Sequence, residues 1–113
     1  MDDILTSIKD LLDIDAADTS FDNSVAMHIN GTFSKLHILG IDAPVGVRVK
    51  PGEETTWTEL LGDVDEDYLD CVKTWIYLRV RLIFDPPGNS FLVSAIQNQL
   101  KELAFDITLL AEV

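Results

Sequence analysis

The stretch from 65 to 84 limits the fold more than any other part of the chain. Projected as a helix, it places Leu69, Val72, Ile76, Val80 and Ile83 on one stripe. Cys71, Trp75, Leu78 and Leu82 form a second stripe more than a quarter-turn away. Only Asp70, Lys73, Thr74, Tyr77 and Arg81 make a mainly polar face. A surface helix of a lone small domain needs a single apolar stripe. This helix is therefore expected to be buried on two sides.

The flanking segments read as further helices. Asp65, Glu66 and Asp67 load the start of this one with the negative charge that a helix dipole favours. Its end is set by DPPGNS, residues 85–90, where Pro86 forces Asp85 out of the helical region and Pro87 and Gly88 complete a tight turn. Asn89 or Ser90 then caps a helix over about 90–111, with Leu92, Ile96, Leu100, Leu103, Ile107 and Leu110 on one stripe and Phe91, Phe105 and Leu109 as apolar surface beyond it. The short turn makes these two helices antiparallel neighbours. Upstream, Ile4, Leu5, Ile8, Leu11 and Leu12 predict a helix over 2–13, with Asp2 and Asp3 at its dipole-favoured start. Val25, Ile29, Phe33 and Leu36 predict another over about 20–39, capped by Thr19 or Ser20 with Asp22 completing a near capping box, and stopped at Gly40. Between 41 and 56, Pro44, Gly46, Pro51 and Gly52 punctuate an alternation of Val45, Val47 and Val49, which reads as an extended arm or hairpin strand. WTELL, residues 57–61, adds one helical turn before Gly62. The fold expected is mainly α: a small four-helix domain over 1–113, with one irregular extended arm or short hairpin between its second and third helices.

Charge narrows the function. Eight Lys and Arg face twenty Asp and Glu, a net charge of −12. A nucleic-acid binder needs a basic footprint to displace counterions, and an anionic membrane surface would repel this chain equally. With 47% hydrophobic residues the chain is no disordered acidic tail. The acids fall in two blocks. Residues 1–22 hold seven acids with only Lys9, and residues 53–70 hold eight with no base. The start of the chain is acidic where a secretory signal would be basic. No run of about 18 apolar residues is present to span a membrane. The expected address is a cytoplasm, or an assembly built in one.

No catalytic set emerges. Asp63, Asp65 and Asp67 resemble the start of a calcium loop, but Tyr68 stands where that loop needs glycine and Thr74 where it needs a bidentate glutamate. A helix start rich in acids accounts for the run. His28 and His37 are nine residues apart, too far for an i, i+4 ligand pair, and no cluster accompanies them. Cys71, the single cysteine, lies on an apolar stripe beside an acidic block, which raises a thiol pKa and quiets it. No nucleophile elbow, P-loop or dinucleotide fingerprint occurs. No enzyme activity, metal or cofactor is expected. Arg79 falls between the two apolar stripes, and a buried charge needs a partner. That partner is expected to be a carboxylate or carbonyl, from the first two helices or from a neighbouring subunit. Trp57 and Trp75 are candidate core anchors or interface residues, with core the safer reading for Trp75.

The run from Val72 to Pro87 (VKTWIYLRVRLIFDPP) closely resembles a segment of small head–tail connector, or adaptor, proteins of tailed double-stranded-DNA bacteriophages. Arg79 and Arg81 stand where lysines are common in that family, and Trp75 at an aromatic position. Ser7–Leu12 resembles the family's first helix, Phe21–Asp22 and His28–Asn30 the second, and Trp57–Thr58 with Gly62–Asp63 the approach to the third. The resemblance runs through nearly the whole chain in order. It implies a structural subunit of a homo-oligomeric neck ring in the virion, a dodecamer. Such a ring docks on the portal protein after DNA packaging, extends the DNA channel without reading sequence, and offers a surface to the next neck or tail-completion protein. Trp75, Arg79, Arg81, Phe105, Leu109 and Leu110 are then candidates for subunit or portal contact. The arm could reach an adjacent subunit, and the acidic blocks could line the channel and repel the polyanion in transit, or simply keep the free subunit soluble.

Two other readings compete. A small acidic DNA mimic that inhibits a host DNA-binding protein would also carry this charge, but a mimic needs carboxylates spaced along a surface, and these cluster in two blocks. A different ring of the neck or tail, such as a tail-completion protein, is separated from the connector by the resemblance alone.

Overall fold

The Lys9 side chain organises the first third of the molecule. In the computed structural model, which describes residues 3–111, α1 spans Ile4–Leu11 and α2 spans Asp22–Phe33. Lys9 lies at the end of α1, i+4 from buried Leu5 and itself buried. Its Nζ pairs with the Asp22 carboxylate at 2.8 Å and donates to the carbonyls of Asp18 at 2.7 Å and Ala16 at 3.2 Å. The α1–α2 connection is thus wrapped around one ammonium group. Asp13 adopts a left-handed conformation at φ 61°, and the Ile14 amide returns to the Lys9 carbonyl at 2.9 Å. This reversal ends α1 at Leu11, two residues before the expected end.

The same pair overrides the expected cap of α2. Phe21 occupies the N-cap without a side-chain bond, and neither Thr19 nor Ser20 caps the helix. The Asp22 carboxylate that would complete a capping box is held by Lys9 instead. The helix expected over 20–39 is also divided. Thr32 and Ser34 donate their hydroxyls back to the carbonyls of Ile29 and Gly31, at 2.7 and 2.8 Å. With Gly31 just before them, these weak helix formers let the helix stop at Phe33. A 3₁₀ turn, Leu36–Leu39, follows, and Gly40 ends it at φ 79° as the sequence implies.

The arm contains no strand among the described residues. Its alternating valines behave individually: Val49 is buried, Val47 half-buried and Val45 fully exposed. Asn30 of α2 holds the arm by its backbone, accepting from the Val49 amide at 2.8 Å and donating to the Val49 carbonyl at 2.9 Å. An isolated antiparallel bridge joins Asp3 to Thr56. Asp3 also caps α1, its Oδ2 accepting from the Thr6 amide at 3.0 Å, while its Oδ1 accepts from the Thr55 amide at 3.1 Å. Asp2 lies outside the described residues. The one-turn helix expected at 57–61 is α3, Trp57–Leu61, with a full capping box between Thr56 and Glu59. The Trp57 indole N–H donates to Ser7 Oγ at 3.2 Å, which ties α3 to α1.

Two long helices complete the fold. They are α4, Glu66–Phe84, with Asp65 as N-cap, and α5, Ser90–Ala111, whose first turn is capped by Asn89 accepting from the Leu92 amide at 2.9 Å. The DxDxD run is therefore a helix start: Asp65 accepts from the Asp67 amide at 3.2 Å. Helix α4 packs against α5, α2 and α1. Val72, Ile76 and Val80 are fully buried, as are Trp75 and Leu78 nearly so. Most of both apolar sides of α4 is thus covered within the chain, while Ile83 stays 65% exposed and Leu82 half-buried. Principal extents of 40 × 36 × 21 Å describe a flat molecule about two helices thick.

Two predictions follow from these anchors. Replacing Lys9 by Met strands the half-buried Asp22 carboxylate and two carbonyls, and should lower unfolding free energy by about 3 kcal/mol in urea titration. Asn30→Ala leaves both Val49 backbone groups unpaired. It should cost about 1–3 kcal/mol and speed hydrogen exchange at the Val49 amide far more than at amides of α4.

Candidate functional surfaces

Helix α5 carries the apolar surface that the fold does not cover. Only Ile96, Leu100 and Ile107 of its 22 residues are buried. At about 1.5 Å per residue the helix is some 33 Å long, and both ends overhang. Phe91 at the first turn is 87% exposed, and Phe105 near the far end is 64% exposed. Leu92, Leu109 and Leu110 are also exposed. Leu92 and Leu110 were expected on the buried stripe, but both are exposed. Of the six candidate contact residues, Phe105, Leu109 and Leu110 are thus at the surface together.

The other three lie on α4. Trp75 is buried, and the Arg79 guanidinium sits over its ring at 5.0 Å from the centroid. Arg79 is only half-buried, and no carboxylate pairs with it among the described residues. The expected ion pair is therefore replaced by an aromatic face: an arginine whose head stays partly in water needs no carboxylate. The buried charge is Lys9 instead. Its place on the apolar face, i+4 from Leu5 in a segment otherwise acidic, was the signal in the sequence. Arg81 is half-buried beside the Tyr77 hydroxyl at 3.5 Å.

Next to Arg79 the 3₁₀ turn, α4 and α5 enclose a groove of about 680 Å³. Ile38, Leu82 and Ile83 line it, with Lys35, Arg79 and Lys101 around them and no acid. Lys35 and Lys101 did not stand out in the sequence, because they come together only when the 3₁₀ turn packs beside α5. The acids face solvent. All eight of residues 53–70 are exposed, and the one ion pair among the described residues is Lys9 with Asp22.

Among the described residues no group of three or more His, Cys, Asp and Glu is placed to hold a metal. No helix among them is long and apolar enough to cross a membrane. Burial pushes the Cys71 thiol up, and the nearby carboxylates of Asp106, Asp67 and Asp70 push it further. The surfaces are suited to being covered by other macromolecules.

A family model described as phage connector protein matches residues 4–113. The chain belongs to that family. Membership gives this connector a structural role at the head–tail junction of a phage particle. No curated protein and no solved structure matches the chain.

The Cys71 environment yields a prediction. The folded thiol titrates above its ordinary value of 9.0. Any stability linked to it is present below that value and lost as pH rises through the folded pKa. Alkylation at pH 9 should be slower in the native connector than in the urea-unfolded chain, and Asp106→Asn should accelerate it.

Proposed function

We propose that this connector is the subunit of a neck ring that docks on the portal after DNA packaging, extends the DNA channel and provides the attachment surface for the tail. The carrying observation is the uncovered apolar face of α5 on a chain of this family. Exposed phenylalanine and leucine side chains clustered on one helix mark a surface meant for a partner. In the proposal, Phe105, Leu109 and Leu110 dock on the portal, and Arg81 with the groove at Arg79 faces other subunits.

The acids support the passage of DNA. The eight acids of 53–70 are all exposed and none is in an ion pair among the described residues, although Arg48 and Lys50 lie in the same hollow as Glu53, Glu54 and Glu59. A wall of that charge facing a channel keeps a polyanion from sticking, and before assembly the same charge keeps the free subunit in solution in the host cytoplasm.

Phe105→Ser with Leu109→Ser tests the docking surface. Both residues are exposed, so helical content by circular dichroism should be unchanged. Retention on purified portal should fall at least tenfold, since buried apolar anchors are each worth about 1–2 kcal/mol at an interface. Unchanged retention would remove α5 from the portal contact.

A further inference from the structure

We propose that the groove between the Leu36–Leu39 turn, α4 and α5 receives the acidic end of α1 and the connection that follows it, residues 10–18, of a second copy of this chain. The proposal rests on the ring reading above and names the surfaces that would build the ring.

The groove is the one place where this acidic molecule gathers unopposed cations among the described residues. Three of eight bases, Lys35, Arg79 and Lys101, border it without an acid. Arg79 keeps its place over the Trp75 ring while facing the groove, and the remaining bases lie elsewhere. Lys9 is spent inside the α1–α2 connection, Lys73 lies 5.7 Å over the Trp57 ring, and Arg81 meets Tyr77. Arg48 and Lys50 share their hollow with Glu53, Glu54 and Glu59. An occupant of the groove must bring carboxylates for the rim and an apolar side chain for Ile38, Leu82 and Ile83.

Residues 10–18 bring both. Asp10, Asp13, Asp15 and Asp18 carry four negative charges with no base between them. Leu11 is 43% exposed at the end of α1, beside Asp10. The acidic block at 63–70 lacks this combination, since Val64, Tyr68 and Leu69 are all half-buried. The connection is also stiff before it binds. Lys9 holds two of its carbonyls, Asp15 accepts from the Ala17 amide at 3.0 Å, and Asp18 accepts from the Ser20 amide at 3.0 Å. A preordered loop gives up little entropy on docking.

Groove and connection share no residue, so one copy offers both halves at once. Such a contact is heterologous, joining head to tail, and it propagates until rotation closes it into a ring.

Paired charge reversals test this. One variant carries Lys35→Glu and Lys101→Glu; the other carries Asp10→Lys and Asp15→Lys. All four positions are exposed, and circular dichroism checks that both variants fold. Sedimentation velocity then follows association of the chain alone and with purified portal rings. Each variant alone should fail to associate between copies, and an equimolar mixture should recover, because each reversed groove then meets a reversed connection. High salt should weaken the wild-type contact. Normal assembly of the Lys35→Glu/Lys101→Glu variant would overturn the groove assignment while leaving the ring reading intact. Loss in both variants without recovery in the mixture would show that another partner, such as an acidic portal surface, fills the groove. Wild-type chains that stay single both alone and on portal would sink the ring reading and this contact with it.

Discussion

Helix α4 must bury apolar side chains in two directions, and everything else is arranged around that requirement. Val72, Ile76 and Val80 are sealed off entirely, while Trp75 and Leu78 leave almost nothing exposed. The chain meets the demand with α2 and α1 against one part of α4 and α5 against another. Because α5 is longer than the helix it covers, satisfying α4 leaves apolar residues uncovered on α5. The hydrophobic surplus is therefore moved within the molecule, from its central helix to its outer one.

The helices were largely legible in the sequence. Periodicity, acidic starts and the DPPGNS turn located α4 and α5 closely, and WTELL before Gly62 marked α3, whose Thr56–Glu59 box only the structure showed. The failures share one cause: a tertiary interaction outbid a local signal. Asp22 looked like part of a cap until a buried lysine claimed its carboxylate. The alternating valines at 45, 47 and 49 looked like a strand, but a strand needs a partner, and a single asparagine fixes that backbone instead.

The candidate surfaces were legible in part. Exposed Phe105, Leu109 and Leu110 could be picked out because they fall off the main stripe or near the end of the chain. Arg79 attracted notice for its position between two stripes, though its partner is the ring of Trp75. The basic groove could not be read from one dimension. Lys35, Arg79 and Lys101 are far apart in sequence, and only the packing of α5 beside α4 and the 3₁₀ turn makes them one patch.

The arm is pinned by buried Ile41 and by the Asn30 clasp on Val49, with Ala43 and Val47 packed on the core between them and Val45 standing fully exposed. Closing a longer loop across fixed ends raises its entropy cost only logarithmically. Val45, bare to solvent at the crest, is accordingly a position where an inserted tag or a whole guest domain could be spliced with scant disturbance to the helices beneath.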